Sequence, residues 1–145
     1  LIWWKTRPHS PVAQLRATAT EIKTLSAGEN GILTQDLYLA VETGMSVPEG
    51  MAMGTFSYYP NWTKERARIC HVVNREMLLE QIQKSPARVA ALSEYGFAIA
   101  SPTVEPVDPK NREEILNLIQ QKYRFVRSED VFGQGNTRLD LYQKK

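Results

Sequence analysis

The sequence predicts an α/β domain: a small mixed β-sheet flanked by helices and finished by a C-terminal antiparallel hairpin. Three observations predict it. Between Ser10 and Gly44 a helix signal, a short apolar strand signal and a second helix signal follow in turn, the order that layers helices on a sheet. "RVAALS" supplies a further run of small and branched apolar residues, suited to a buried strand. Last, "YRFVRSEDVFG" and "TRLDLYQKK" are two strand-like runs joined by "GQGN", a hairpin signature. An antiparallel pair at the end of an α/β order makes the sheet mixed.

The elements follow from local chemistry. Ser10-Pro11 offers a hydroxyl for the N-cap and a proline for the first helical position. Val12, Leu15, Ala19, Ile22 and Leu25 then recur at threes and fours until Gly28 ends the helix. "NGILTQD" reads as a strand ending near Thr34, with Asp36 capping the helix "LYLAVET" and Gly44 closing it. "MSVPEG" is a loop by its Pro and Gly content, and "MAMGTFSYY" is expected to be extended up to Pro60. One long helix is expected from about Trp62 to Lys84, capped by Asn61 or Thr63, with Ile69, Val73, Met77 and Ile82 facing inward. Ser85-Pro86 ends it, and the stretch from Glu94 to Pro106 reads as loop. Asp108-Pro109 repeats the cap-plus-proline signal for a helix whose face is Ile115, Leu118, Ile119 and Lys122, with Glu113 and Glu114 assigned to its electropositive start.

At 145 residues the chain suits one core, and the expected organisation is a membrane-proximal tether at 1–10 and a single domain at 11–145. Hydrophobic content of 42% and charged content of 23% are those of an ordinary folded protein. A net charge of +2 argues against nucleic acid as a partner, which calls for a concentrated basic surface. The charge is nevertheless segregated. Glu29, Asp36, Glu42 and Glu49 stand without a Lys or Arg between residues 28 and 60, whereas residues 61–90 carry six basic and three acidic side chains.

Few residues have the spacing that catalysis requires. Cys70 and His71 are neighbours on the expected helix, where side chains diverge by about 100°. Cys70 is therefore expected to pack as a small apolar residue, and one cysteine with His9 and His71 provides no zinc spacing. "FGQGN" lacks the Lys-Ser/Thr ending of a phosphate loop. No catalytic residue, metal or cofactor is assigned. Asp36 sits where a strand gives way to a helix, an edge at which α/β sheets often bind ligands, although capping explains it equally.

The stretch "FSYYPNWTKERAR" is the candidate binding surface. Tyr58, Tyr59 and Trp62 offer aromatic faces for sugar rings or a headgroup zone, and Lys64 and Arg66 offer charge for phosphate at a helix start; the competing reading is a strand that packs Phe56 and Tyr58 inward before a solvated helix. "NWT" also matches the three-residue N-glycosylation acceptor.

Three landmarks resemble one family. "GILTQDLYLAVETGMSVP", the helix after "YYPNW", and "DPKNREEILNLIQQKYRFVRSEDVFGQGNTRLDLYQKK" are similar to the soluble domain that follows the last membrane helix in polytopic glycosyltransferases using polyprenyl-phosphate sugars, the dolichyl-phosphomannose protein mannosyltransferase-like superfamily. The similarity spans most of residues 12–145. It implies an extracytoplasmic, non-catalytic α/β domain whose partner is the membrane portion of the same polypeptide, with a glycan or lipid-phosphate headgroup as ligand. The family's catalytic carboxylates lie in membrane loops, so no residue here inherits a catalytic role. On this view "LIWWKTRP" is the exit of a final span, with Trp3 and Trp4 at the headgroup level, although Lys5 and Arg7 beside a span favour the cytoplasmic side; the alternative is that Trp3 and Trp4 fold back onto the core. The competing expectations are a stand-alone binding or scaffolding domain, or a small enzyme built on the sheet edge at Asp36.

Overall fold

The computed structural model describes residues 10–94, 107–133 and 136–145. Helix α1 (Pro11–Ser26) begins as its sequence dictates: the Ser10 hydroxyl accepts the Ala13 amide at 3.1 Å, and proline fills the first position. Strand β1 (Leu33–Thr34) leads into α2 (Leu37–Thr43), which Gly44 closes with φ 69°. After α3 (Lys64–Ile69) and α4 (Arg75–Lys84) come β2 (Val89–Ser93), α5 (Pro109–Lys122), β3 (Tyr123–Phe132) and β4 (Thr137–Lys144).

The four strands form one sheet in the order β1-β2-β4-β3. β1 pairs with β2 in parallel, Leu33 opposite Ala90, while β4 runs antiparallel to both β2 and β3. The architecture is therefore the expected α/β domain with a mixed sheet and a C-terminal hairpin.

Alternation along the strands sorts the core into two layers. Val89 and Ala91 of β2 and Leu139 and Leu141 of β4 pack with Ile22 of α1 and Leu39 and Ala40 of α2. Ala90 and Tyr142 point the other way, toward Leu78 and Ile82 of α4 and Ile115 and Ile119 of α5. Helices thus cover both faces. Leu139, Leu141 and Ile22 are fully buried, each contributing about 1.5–3 kcal/mol through the apolar surface it removes from water.

Several expectations need correction. The long helix is two helices: His71 takes φ 56°, a left-handed conformation, and the chain then runs extended through Val73. Val73 exchanges backbone bonds with the 57–59 segment, its amide donating to the Ser57 carbonyl and its carbonyl accepting from the Tyr59 amide, each at 2.9 Å. Two fully buried or nearly buried β-branched residues, Val72 and Val73, favour this extended link, and Asn74 starts α4 by accepting the Met77 amide at 2.9 Å. Of the inward face assigned to one helix, Val73 and Ile82 are buried, but Ile69 is 71% exposed because α3 ends there.

"MAMGTFSYY" is a set of turns with a single 3-10 turn at Gly54–Phe56, and only Tyr58 joins a bridge, to Val73. Gly54 explains this: its φ is +62°, and a Cβ there would sit 2.9 Å from the Gln35 carbonyl oxygen. Glu113 and Glu114 lie beyond the first turn of α5, so neither answers its electropositive end; Glu114 instead pairs with Arg75 of α4. Cys70 is exposed at the end of α3 and does not pack inside. The tether through His9 and the loop residues 95–106 lie outside the described residues, as do Gln134 and Gly135 of the hairpin turn. No helix among the described residues is long and apolar enough to cross a membrane.

Candidate functional site

A cleft of about 1010 Å³ opens between the aromatic segment 58–62 and the start of α5. Two caps build its walls. Thr63 starts α3 by accepting the Arg66 amide at 3.2 Å, which sets Trp62 just outside the helix and Arg66 on its first turn. Asp108 starts α5 by accepting the Lys110 amide at 2.8 Å, which brings Lys110 and Asn111 to the opposite wall. One bond fixes the aromatic wall to the start of α4 and a second joins the two walls. Asn74 donates its side-chain amide to the Trp62 carbonyl at 3.0 Å, and the Tyr58 hydroxyl donates to Asn111 Oδ1 at 2.5 Å.

Tyr58 is the floor of this cleft. Only 2% of it is exposed, and burial pushes its hydroxyl up to about 12, so it stays neutral and donating at any ordinary pH. Of the two roles the sequence allows Tyr58, an outward stacking surface or an inward-packed ring, the structure shows the second: its ring lies in the α4/α5 layer of the core. Asn111, 8% exposed, holds its Nδ2 buried with no acceptor among the described residues.

Tyr59, Trp62 and Arg66 form a pile. The rings of Tyr59 and Trp62 stack with centroids 4.2 Å apart and planes 19° from parallel, and the Arg66 guanidinium carbon lies 3.9 Å from the Trp62 centroid. Two groups that close to one ring centre would collide on a single face, so they occupy opposite faces of the indole. Trp62 is consequently an interior layer. The surfaces it leaves for a ligand are the outer face of Tyr59 and the guanidinium plane of Arg66.

The cleft's charges are unequally engaged. Arg75 holds Glu114 through two bonds, Nε to Oε2 at 2.8 Å and Nη2 to Oε1 at 2.5 Å, and Asp108 is occupied by its capping bond. Arg66, Lys110 and Asp108 belong to no ion pair among the described residues, so with Arg75 and Glu114 paired the open cleft keeps a net positive charge beside an aromatic wall.

Two sequence candidates lie elsewhere. Lys64 does not line the cleft; it points to Glu76 of α4 at 3.8 Å. Asp36 sits at the carboxyl end of β1, 2% exposed, on neither wall. It precedes α2 but makes no capping bond with its side chain. Its Oδ1 accepts the Tyr38 hydroxyl at 3.0 Å, its amide donates to Thr34 Oγ1 at 3.0 Å, and neighbouring Gln35 donates to Ser93 Oγ at 2.9 Å. Burial raises its carboxyl to about 6, the bond from the Tyr38 hydroxyl pulling the other way. Its Oδ2 is buried without a donor among the described residues.

Asp108, Lys110, Asn111, Arg75 and Glu114 were not singled out as ligand residues from the sequence. The Asp108-Pro109 helix start was visible, but nothing in linear order sets it against residues 58–66. Among the described residues no three His, Cys, Asp or Glu side chains converge as a metal site would require. Comparison with family models, curated proteins and solved structures found no match. The class of protein defined by fold and site is thus an α/β domain carrying an aromatic, cationic cleft at the start of its last helix.

Proposed function

We propose that this chain is the extracytoplasmic, non-catalytic domain of a membrane-bound glycosyltransferase that uses a polyprenyl-phosphate sugar, and that its cleft holds part of a glycan or phosphate-bearing ligand. Support for the first half is the resemblance of most of residues 12–145 to that mannosyltransferase-like family. The observation that carries the second half is the Tyr59–Trp62–Arg66 pile beside Lys110. An aromatic face accepts the apolar side of a sugar ring, while a guanidinium and an ammonium nearby accept phosphate or ring hydroxyls. Because Tyr59 is braced from behind by Trp62, little ordering is needed when a ring settles on it.

The test is titration of the 145-residue chain with α-linked mannobiose and with mannose 1-phosphate, followed through tryptophan fluorescence and the indole N–H resonances. Tyr59→Ala should weaken disaccharide binding at least tenfold, and Arg66→Ala should weaken the phosphorylated sugar more than the neutral one. Binding indifferent to both substitutions, or no binding of either probe, removes the cleft from the proposal. A parent reading frame without upstream hydrophobic spans removes the membrane enzyme.

A further inference from the structure

We infer that the cleft is one end of a continuous track for an extended oligosaccharide of several rings. This rests on the cleft being a glycan site, and it adds the length of the ligand and the residues that hold its far end.

The track is visible as a second, more open groove of about 400 Å³ that adjoins the first and shares Lys110 and Glu114 with it. Its remaining lining is Leu79 of α4 with Glu113, Asn117, Leu118 and Gln121 of α5. These α5 positions fall at spacings of three and four and so make a single stripe along the helix. From Lys110 to Gln121 that stripe runs about 16 Å at 1.5 Å per residue, well beyond one sugar ring.

The stripe has the chemistry that sugar hydroxyls recognise. A hydroxyl donates once and accepts twice; a side-chain amide meets both needs, and a carboxylate accepts the donated proton. Asn117, Gln121 and Glu113 supply these from exposed positions, over the half-buried apolar surface of Leu79 and Leu118. The two-bond Arg75–Glu114 pair stands at the junction and ties α4 to α5, which holds the groove's two walls at fixed spacing. Lys110 and Glu114 line both grooves and so join the aromatic end to the amide end. A linear glycan seated on Tyr59 therefore continues past Lys110 onto Asn117 and Gln121.

The experiment is binding of the intact chain to linear hexose oligosaccharides of two to six units, in an α-mannose and a β-glucose series. Three proteins are compared: the unaltered chain, Tyr59→Ala, and the double variant Asn117→Ala, Gln121→Ala. Both changes in the double variant lie at exposed helical positions where alanine favours the helix, and a matching circular dichroism spectrum checks its fold. The expected result is affinity rising at least tenfold from disaccharide to hexasaccharide in one series. The double variant should lose that rise while keeping disaccharide affinity. If the unaltered chain binds disaccharide and hexasaccharide equally, and Tyr59→Ala abolishes both, the track is wrong and the cleft stands. A double variant that binds hexasaccharide as tightly as the unaltered chain overturns the track as well. If no oligosaccharide binds, the glycan reading of the cleft and the track fall together.

Discussion

Asp36 is a carboxyl group held where water scarcely reaches, with one hydroxyl 3.0 Å from Oδ1 and no donor for Oδ2 among the described residues. Its ionisation therefore opposes folding. The folded value near 6 lies above the ordinary 3.8, so between those values the folded chain binds more protons than the unfolded one. Stability contributed by the protonated form is fully present below about pH 4 and is lost as pH rises through 6. A shift of this size corresponds to something on the order of 3 kcal/mol. Urea denaturation of the native chain and Asp36→Asn at pH 4.5 and pH 7.5 checks this. The native chain should lose stability relative to the variant on going to the higher pH. A constant difference between the two proteins at both pH values would show that burial leaves this carboxyl unperturbed. The residue was legible as the position before a helix, but its burial was not. That required β2, with Ser93, to lie beside β1.

At the scale of elements, the informative feature is the break between α3 and α4. Helical spacing persists through residues 62–84, which is why the sequence reads as one helix, yet the chain leaves helical conformation at His71. The competing force is tertiary. Val73 gains burial and two backbone bonds to the 57–59 segment, which outweighs the helix propensity of the few residues between. His71 is exposed and bears a Cβ at φ 56°, a conformation that costs a side-chain-bearing residue about 1–2 kcal/mol. His71→Gly should consequently raise the urea midpoint by up to about 1 kcal/mol of stability, the relief being partly offset by glycine's greater freedom when unfolded. In a continuous helix the same substitution would lower stability by a comparable amount, so the sign decides between the two arrangements. The break also serves the cleft, because the extended link holds the segment from Ser57 to Tyr59 through which the aromatic pile is anchored.

For the whole molecule, the sheet and its two helical layers set the distribution of stability. Leu141 of β4 is fully buried between neighbours on β2 and the α1/α2 layer, whereas Ile69 is 71% exposed at the end of α3. Leu141→Ala should cost about 2–5 kcal/mol through lost burial and the cavity left behind. Ile69→Ala should stay within about 0.5 kcal/mol of the native chain, as surface substitutions do. Equal losses would mean that Ile69 is buried in solution and α3 packs differently. Both residues looked alike in the sequence, apolar positions in periodic runs. What separates them is whether a second layer arrives to cover the face they occupy.

Local chemistry was enough to determine the α/β class, the caps at Ser10 and Asp108, the strand at Val89–Ser93 and the closing hairpin, because each depends on residues within a few positions of one another, and it narrowed the cap of α3 to Asn61 or Thr63, of which the structure shows Thr63. It also located the aromatic and basic stretch that forms one wall of the cleft. Tertiary structure alone decided that Tyr58 is floor, that Trp62 is an inner layer of a pile, that Lys64 and Asp36 stand apart, and that α5 supplies the facing wall. The physical reason is that a side chain's partners across the fold are chosen by how layers pack. Residue 58 meets residue 111 only after a sheet has placed two helices side by side, and linear spacing carries no record of that meeting.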